Sequence, residues 1–386
     1  MKKKLIAMVL AASMVVSLVG CGAAADSSAP AAADAAADGG AGDTSAADTA
    51  ADTSSSGSTT DVAFVTDDGN IDDGSFNQYT WAGVQQFCAD NGLNANYYRP
   101  SEDSDAARLE QMDNAIKDGA NVVVVAGYLF TASLSEAQAK HPDTSFLALD
   151  ISTGDLEAPG KNTALITYKE EQAGYLAGYA AVTDGYKELG FLGGMAVPAV
   201  IRYGYGFVQG AEQAAKDAGV SDVHIKYWYS GSFVATDDIK AKMDSWYSEG
   251  TEVVFACGGS ICNSCLAAAQ ANNGKMIGVD VDQSNLDPCV ITSAMKALSN
   301  SVILALTDAK ENNWKFSDKY AGKETTLGAA EDCVGLPMDS SVFSSFTQEQ
   351  YDKLFASLQD GSLVVDNSFD TAVTPAVSSI SVDYQE

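Results

Sequence analysis

The strongest constraint in this sequence is a repeating alternation of short apolar runs with helix-patterned stretches. "VAFVT", "NVVVVAG", "SFLALD" and "NTALITY" are rich in β-branched and apolar residues, as parallel strands buried on both faces require. Between them run "QYTWAGVQQFCADNG", "SDAARLEQMDNAIKDGA" and "TASLSEAQAKHPD", with Ser104 placed to cap the second and glycines placed to stop helices. The pattern resumes through "ELGFLGG", "VHIKYWYS", "EVVFACGG", "MIGVDVD" and "CVITSAMK". Strands and helices spaced this way form βαβ units around parallel sheets. About ten such strands exceed one small domain, and a fresh strand, turn and helix start near Glu188. The sequence therefore predicts an α/β protein of two doubly wound parallel-sheet lobes joined by hinge crossings. One lobe comprises residues 61–166 plus 293–325 and the other 167–292 plus 326–386, with hinges near Ile166, Thr292 and Thr325. Open α/β sheets take ligands at the carboxyl ends of their strands.

The residues that follow those ends carry the chemistry. The loop "TDDGNIDDGSFN" supplies Asp67, Phe76 and Asn77 after the first strand. "FLALD" ends in Asp150, "IRYGYGF" contains Tyr203, and "VVFACGG" leads to Gly258 and Gly259. Asp280 closes "IGVD", and Lys296 closes "ITSAMK". Aromatic faces, carboxylates and one lysine on a common face suit a small polar ring compound bearing hydroxyls. Phe76 and Tyr203 read as rings in polar loops, whereas Trp81 and Phe87 fall at helical spacing and read as core. Asp68, Asp72 and Asp73 read as turn and cap residues. A calcium loop of the EF-hand type is excluded, because the twelfth position from Asp67 is Gln78 and not a bidentate glutamate. "GYGFVQG" has the wrong spacing for a dinucleotide fingerprint. Neither a G-x-S-x-G elbow, an H-E-x-x-H pair nor a P-loop occurs. A paired-carboxylate hydrolase is the enzyme alternative, but binding without catalysis is the expectation. "CGGSICNSC" lacks a second ligand knuckle, so Cys257, Cys262 and Cys265 read as buried thiols or a disulfide. No metal and no cofactor are expected.

Charge and the N-terminus narrow the setting. With 22 basic against 52 acidic residues and a net charge of −30, a nucleic-acid partner is excluded. "MKKKLIAMVLAASMVVSLVGC" is a basic segment, an apolar segment and a cysteine, too short for a comfortable membrane span. It resembles a bacterial lipoprotein signal, with residues 1–20 removed and Cys21 acylated. Residues 21–60 then form a small-residue, acidic, disordered stalk. The expected location is the extracytoplasmic face of a cell membrane, reached through the lipid.

Three stretches, "VAFVTDDGNIDDGSFNQYTWAGVQQF", "FLGGMAVPAVIRYGYGFVQGAE" and "IGVDVDQS…VITSAMK", resemble the basic membrane lipoprotein family of ABC-transporter substrate-binding proteins, which includes purine nucleoside receptors. The resemblance implies a type I periplasmic-binding-protein fold and capture of a nucleoside, purine by preference, for an ABC permease and ATPase. It further implies that Phe76 and Tyr203 sandwich the base while Asp67 and Asn77 meet its edge. Asp280 and Lys296 would hold the ribose hydroxyls, Asp150 would lie near sugar or base, and Gly258 and Gly259 would let backbone approach the ligand. Tyr203 stands where the family often has phenylalanine. The loop after the third strand also departs from the family pattern, offering Tyr128, Thr131 and Ser133 where an aspartate is common. A free sugar is the alternative ligand, and a ligand-sensing surface lipoprotein the alternative role.

Overall fold

The computed structural model describes residues 59–156 and 158–386. The expected signal peptide, Cys21 and all but the end of the stalk lie outside the described residues. Thr60, assigned to the stalk from sequence, is buried, and its N–H donates to the Asp118 carbonyl, so the fold has begun by this residue.

The first lobe runs β1 (Val62–Val65), α1 (Phe76–Asn91), β2 (Ala95–Tyr98), α2 (Asp105–Lys117), β3 (Val122–Ala126), α3 (Thr131–Lys140), β4 (Ser145–Leu149) and β5 (Thr163–Tyr168). The second runs α4 (Glu170–Thr183), β6 (Glu188–Gly193), α5 (Pro198–Ala218), β7 (Val223–Tyr229), α6 (Asp237–Ser248), β8 (Val253–Cys257), α7 (Ile261–Asn272), β9 (Lys275–Asp280) and β10 (Val290–Lys296). The chain then returns through α8 (Leu298–Glu311) and β11 (Lys323–Leu327), and goes back through β12 (Val334–Gly335), α9 (Gln348–Gln359) and β13 (Ile380–Tyr384). One sheet has the order β11-β5-β4-β3-β1-β2, the other β12-β10-β9-β8-β6-β7-β13. Every pairing is parallel except β10 with β12.

Side-chain alternation decides which helices cover which face. In β1, Val62 and Phe64 join Trp81 and Phe87 of α1 and Val302 of α8, whereas Ala63 and Val65 join Met112 of α2 and Leu134 of α3. In the second sheet Phe191 and Phe255 meet Phe207 of α5, while Leu192 and Val254 meet Trp246 of α6 and Cys265 of α7. Local signals start and stop the helices as expected: Ser104 accepts from the Ala107 N–H, and Gly92 closes α1 at a φ of 66°.

Several boundaries differ from the sequence reading. Ile166, Thr292 and Thr325 lie inside β5, β10 and β11, with a register shift in the β10 ladder just before Thr292. The chain crosses between sheets at residues 168–170, 296–298 and 327–334 instead. Tyr203 is in α5 and Phe76 begins α1, so neither ring stands in a loop. Strands β11 and β13 escape the periodicity argument, because "KETTL" and "ISVDY" carry exposed polar residues where it needs apolar ones, and β12 is only two residues long. Cys88, Cys257, Cys262, Cys265 and Cys289 are buried free thiols, and Cys333 is a half-buried one.

One contact sets the second lobe. Helices α4 and α5 each carry two glycines four residues apart, Gly174 and Gly178, Gly206 and Gly210. A Cβ at any of them would collide with backbone of the partner helix: Gly174 with the Tyr203 carbonyl, Gly178 with that of Phe207, Gly206 with Glu171, and Gly210 with Tyr175. Only glycine permits this approach, and the helices cannot part without breaking the buried face behind them. Gly178→Ala or Gly206→Ala is expected to cost about 1–3 kcal/mol or more. A urea titration should show a lower midpoint, and an unchanged one would contradict this packing.

Candidate functional site

The loop after β1 is a self-satisfied acid cradle. Asp67 Oδ1 accepts from the Gly69 N–H at 2.7 Å and from Asn77 Nδ2 at 2.8 Å, while the Asp67 N–H donates to Asn77 Oδ1 at 3.2 Å. Asn77 Nδ2 also donates to Asp73 Oδ2 at 3.0 Å. Asp73 takes the N–H groups of Ser75, Asn77 and Gln78, capping α1 from outside the helix. Both amide hydrogens of Asn77 are thereby engaged, so Asn77 holds Asp67 in place and has no hydrogen left to donate to a ligand. The second oxygen of Asp67 makes no hydrogen bond among the described residues. Burial outweighs these donors and pushes the Asp67 carboxyl up to about 7. Burial likewise raises that of Asp73.

Asp150, after β4 on the same lobe, and Asp280, at the end of β9 across the cleft, leave their strands at φ values of 56° and 67°. This left-handed backbone is costly for a residue with a side chain. It turns both carboxylates toward Lys296, the last residue of β10. Lys296 Nζ lies 2.6 Å from Asp150 Oδ2, 3.5 Å from Asp280 Oδ1 and 3.7 Å from Glu170 Oε1. Glu170 opens α4, is fully buried, and binds Arg202 Nε of α5 at 2.7 Å. Burial opposes the Lys296 charge, but Asp150, Asp280 and Glu170 outweigh it and hold the ammonium protonated. Two cations therefore meet four buried carboxylates, counting Glu171. The excess of negative charge falls on Asp150 and Glu171: burial first, then like charges, pushes each up to about 7, with Lys296 opposing at Asp150. Asp150 Oδ1, Glu171 Oε2 and the Tyr203 hydroxyl are buried without a hydrogen-bond partner among the described residues.

Between the lobes lies a cavity of about 650 Å³, part of it open to solvent, and all the residues singled out above as ligand-binding border it. Phe76 presents its ring toward Lys296, whose Nζ is 4.6 Å from the ring centroid. Tyr203 is enclosed, edge-on to Phe255 at 5.8 Å. Gly258 and Gly259 take φ values of 148° and 52°, and a Cβ on Gly258 would press on Phe233 and Gly194. Tyr128 borders the cavity, but Thr131 and Ser133 spend their hydroxyls on the Tyr128 and Phe130 carbonyls of their own turn. Hydrogen bonds tie the lobes together beside it: Ser75 Oγ to Asp280 Oδ2 at 2.5 Å, and Gln283 Nε2 to the Gly74 carbonyl at 3.0 Å.

Sequence reasoning missed Phe233, a half-buried aromatic bordering the cavity from the loop after β7. Its position in "SGSF", just past a strand end, was the available signal. Glu170 left no such signal, since an acidic first turn is ordinary helix chemistry. The histidines are elsewhere: His141 pairs with Asp113 and His224 with Ser381.

The relatives agree with this architecture. "Basic membrane protein B" of Borreliella burgdorferi is 28% identical over 289 residues, covering 70% of this chain and 79% of that one. The "ABC transporter nucleoside-binding protein BmpA" of Lactococcus lactis is 29% identical over 238 residues, covering 58% and 65%. A solved solute-binding protein of an ABC transporter system from Aeropyrum pernix superposes with a TM-score of 0.65 at 21% identity, over 80% of this chain and 88% of that one. The fold is that of type I periplasmic binding proteins. The model of the Bmp family, described as "ABC transporter substrate-binding protein PnrA-like", matches residues 60–361, and the chain belongs to that family of substrate-binding proteins.

Proposed function

We propose that this protein is the lipid-anchored, nucleoside-capturing component of an ABC importer, with purine nucleosides as its ligands. The observation that carries the reading is that one interlobe cavity is lined both by aromatic rings and by charged hydrogen-bonding groups. It offers the Phe76 ring, Phe233 and an unspent oxygen of Asp67 together with Lys296 and the carboxylates of Asp150 and Asp280. A nucleoside likewise joins a flat base to a hydroxylated sugar. Phe76 stacks on the base, Asp67 reads its edge with Asn77 as its support, and Asp280, Asp150 and Lys296 take the ribose. Gly258 and Gly259 leave room for the ligand. The Lactococcus relative, named as nucleoside-binding, supports the ligand class. Ligand bridging both lobes favours their closure, with rotation absorbed at residues 168–170, 296–298 and 327–334. The closed form then presents the loaded protein to a permease driven by its ATPase. Among the described residues no helix is long and apolar enough to cross a membrane; the attachment in this reading is the lipid on Cys21.

Calorimetric titration of protein unfolded and refolded to strip carried ligand should show binding of inosine or guanosine with ribose silent. Binding of ribose alone would favour the sugar reading, for which the Lys296 cluster would suffice. Phe76→Ala should weaken nucleoside binding by about 1–3 kcal/mol, the usual worth of base stacking. Asp280→Ala should weaken it as well. Unchanged affinity in both variants would sink the site assignment.

Asp67 adds a pH dependence. Its carboxyl has an ordinary value of 3.8 and is raised to about 7 in the fold. The stability it contributes is complete below its ordinary value and is lost as pH climbs through about 7. Neutral Asp67 can donate to a base nitrogen, whereas ionised Asp67 accepts from a base N–H. Titrations at pH 6 and pH 8 should therefore shift preference from adenosine toward inosine as pH rises, and Asp67→Asn should abolish the shift. In cells, Cys21→Ser should release the protein from the membrane fraction; retention would overturn the anchor.

A further inference from the structure

We infer that the Tyr203 hydroxyl is a ligand-contacting donor that reads a sugar-side hydroxyl of the bound molecule and so sets specificity. The inference rests on the nucleoside reading above and assigns Tyr203 a different task from stacking. Tyr203 is 1% exposed, its hydroxyl has no hydrogen-bond partner among the described residues, and the side chain borders the cavity. A buried hydroxyl left unpaired is costly, and phenylalanine would fill the same space without that cost. An oxygen kept under those conditions needs a partner from the cavity side.

The surroundings say which partner. Burial, and then the charges of Asp280, Glu170 and Asp150, keep the phenol protonated and therefore a donor. None of these carboxylates is within hydrogen-bond reach of it, and each has one oxygen committed elsewhere. Asp280 Oδ2 takes Ser75 Oγ, Asp150 Oδ2 takes Lys296 Nζ, and Glu170 Oε2 takes Arg202 Nε. Asp150 Oδ1 and Glu170 Oε1 are unpartnered, like the Tyr203 hydroxyl, and of these two acids only Asp150 borders the cavity. The cluster thus holds one orphan acceptor and one orphan donor on the same cavity. A sugar hydroxyl satisfies both at once, giving its proton to Asp150 and accepting from Tyr203.

The test compares wild type and Tyr203→Phe by calorimetry with inosine or guanosine and with their 2′-, 3′- and 5′-deoxy analogues. The expected result is a loss of about tenfold in affinity for the parent nucleoside. One deoxy analogue should bind wild type and variant alike, which names the hydroxyl that is read. Equal affinity of both proteins for every compound overturns the inference while leaving the nucleoside reading intact. So does an equal loss on every analogue, which would report packing alone. Wild type silent toward every nucleoside overturns the nucleoside reading and this inference with it. Thermal melting of the ligand-free proteins gives an independent readout: removing an unpaired buried oxygen should raise the midpoint by roughly 2–5 °C. A lowered midpoint would show the hydroxyl bonded within the fold and overturn the inference.

Discussion

The rest of this structure is arranged around the ammonium of Lys296. It ends a strand of the second sheet, yet its shortest bond, 2.6 Å, is to Asp150 at the end of a strand in the first. Asp280 and Glu170 complete its surroundings, and all are withdrawn from water. Taking such charges out of solvent costs several kcal/mol per ion in real proteins, and pairing offsets this only when geometry and hydrogen bonds are good. The cluster is weak support for stability by that measure. It holds more negative than positive charge and leaves oxygens without partners, which an arrangement serving the fold alone would avoid. Its incompleteness is the property a binding site requires.

What keeps the cluster in place is packing some distance away. Glu170 opens α4, and Arg202 and Tyr203 lie in the first turns of α5. Those helices touch through their backbones at Gly174, Gly178, Gly206 and Gly210. With no side chain between them, a small slide of one helix past the other is opposed by hard contact, so the Glu170–Arg202 pair keeps one geometry. The first lobe uses polar bonds for the same end. Asp73 and Asn77 immobilise Asp67, and Gly69 is required because a Cβ there would strike Asn77 Nδ2. Each lobe therefore presents preorganised groups, which lowers the ordering cost of binding.

Most strands were legible because parallel strands buried on both faces leave continuous apolar runs, as in "NVVVVAG". The later strands β11 and β13 sit at sheet edges with mixed exposure, and that signal fades. Cavity-lining residues were legible where they end or directly follow a strand: Asp150, Asp280 and Lys296 could be placed at the cavity from the strand ends alone. The roles within the site were less legible. Asn77 reads as a polar contact in sequence, but its hydrogens are consumed by Asp67 and Asp73. Tyr203 reads as a loop aromatic, but α5 begins at Pro198 and carries it inside. Hydrogen-bond commitment and helix starts of this kind depend on three-dimensional neighbours that spacing does not encode.

The two lobes meet through bonds that duplicate what a ligand would offer. The Ser75 hydroxyl occupies Asp280 Oδ2 from across the cleft, just as a sugar hydroxyl could. Separating the lobes would return Asp280 to water at little cost, since water supplies donors freely. Asp150 and Lys296, whose partners come from opposite sheets, would likewise exchange each other for water. Closure over water alone trades one set of hydrogen bonds for another and desolvates charge, leaving only a small net gain. Under the proposed reading, closure over a ligand would add a buried aromatic contact and fill the orphan positions at Asp150, Tyr203 and Asp67. The free-energy difference between the loaded and unloaded closed states would then reside in those few atoms, which would allow closure to report occupancy.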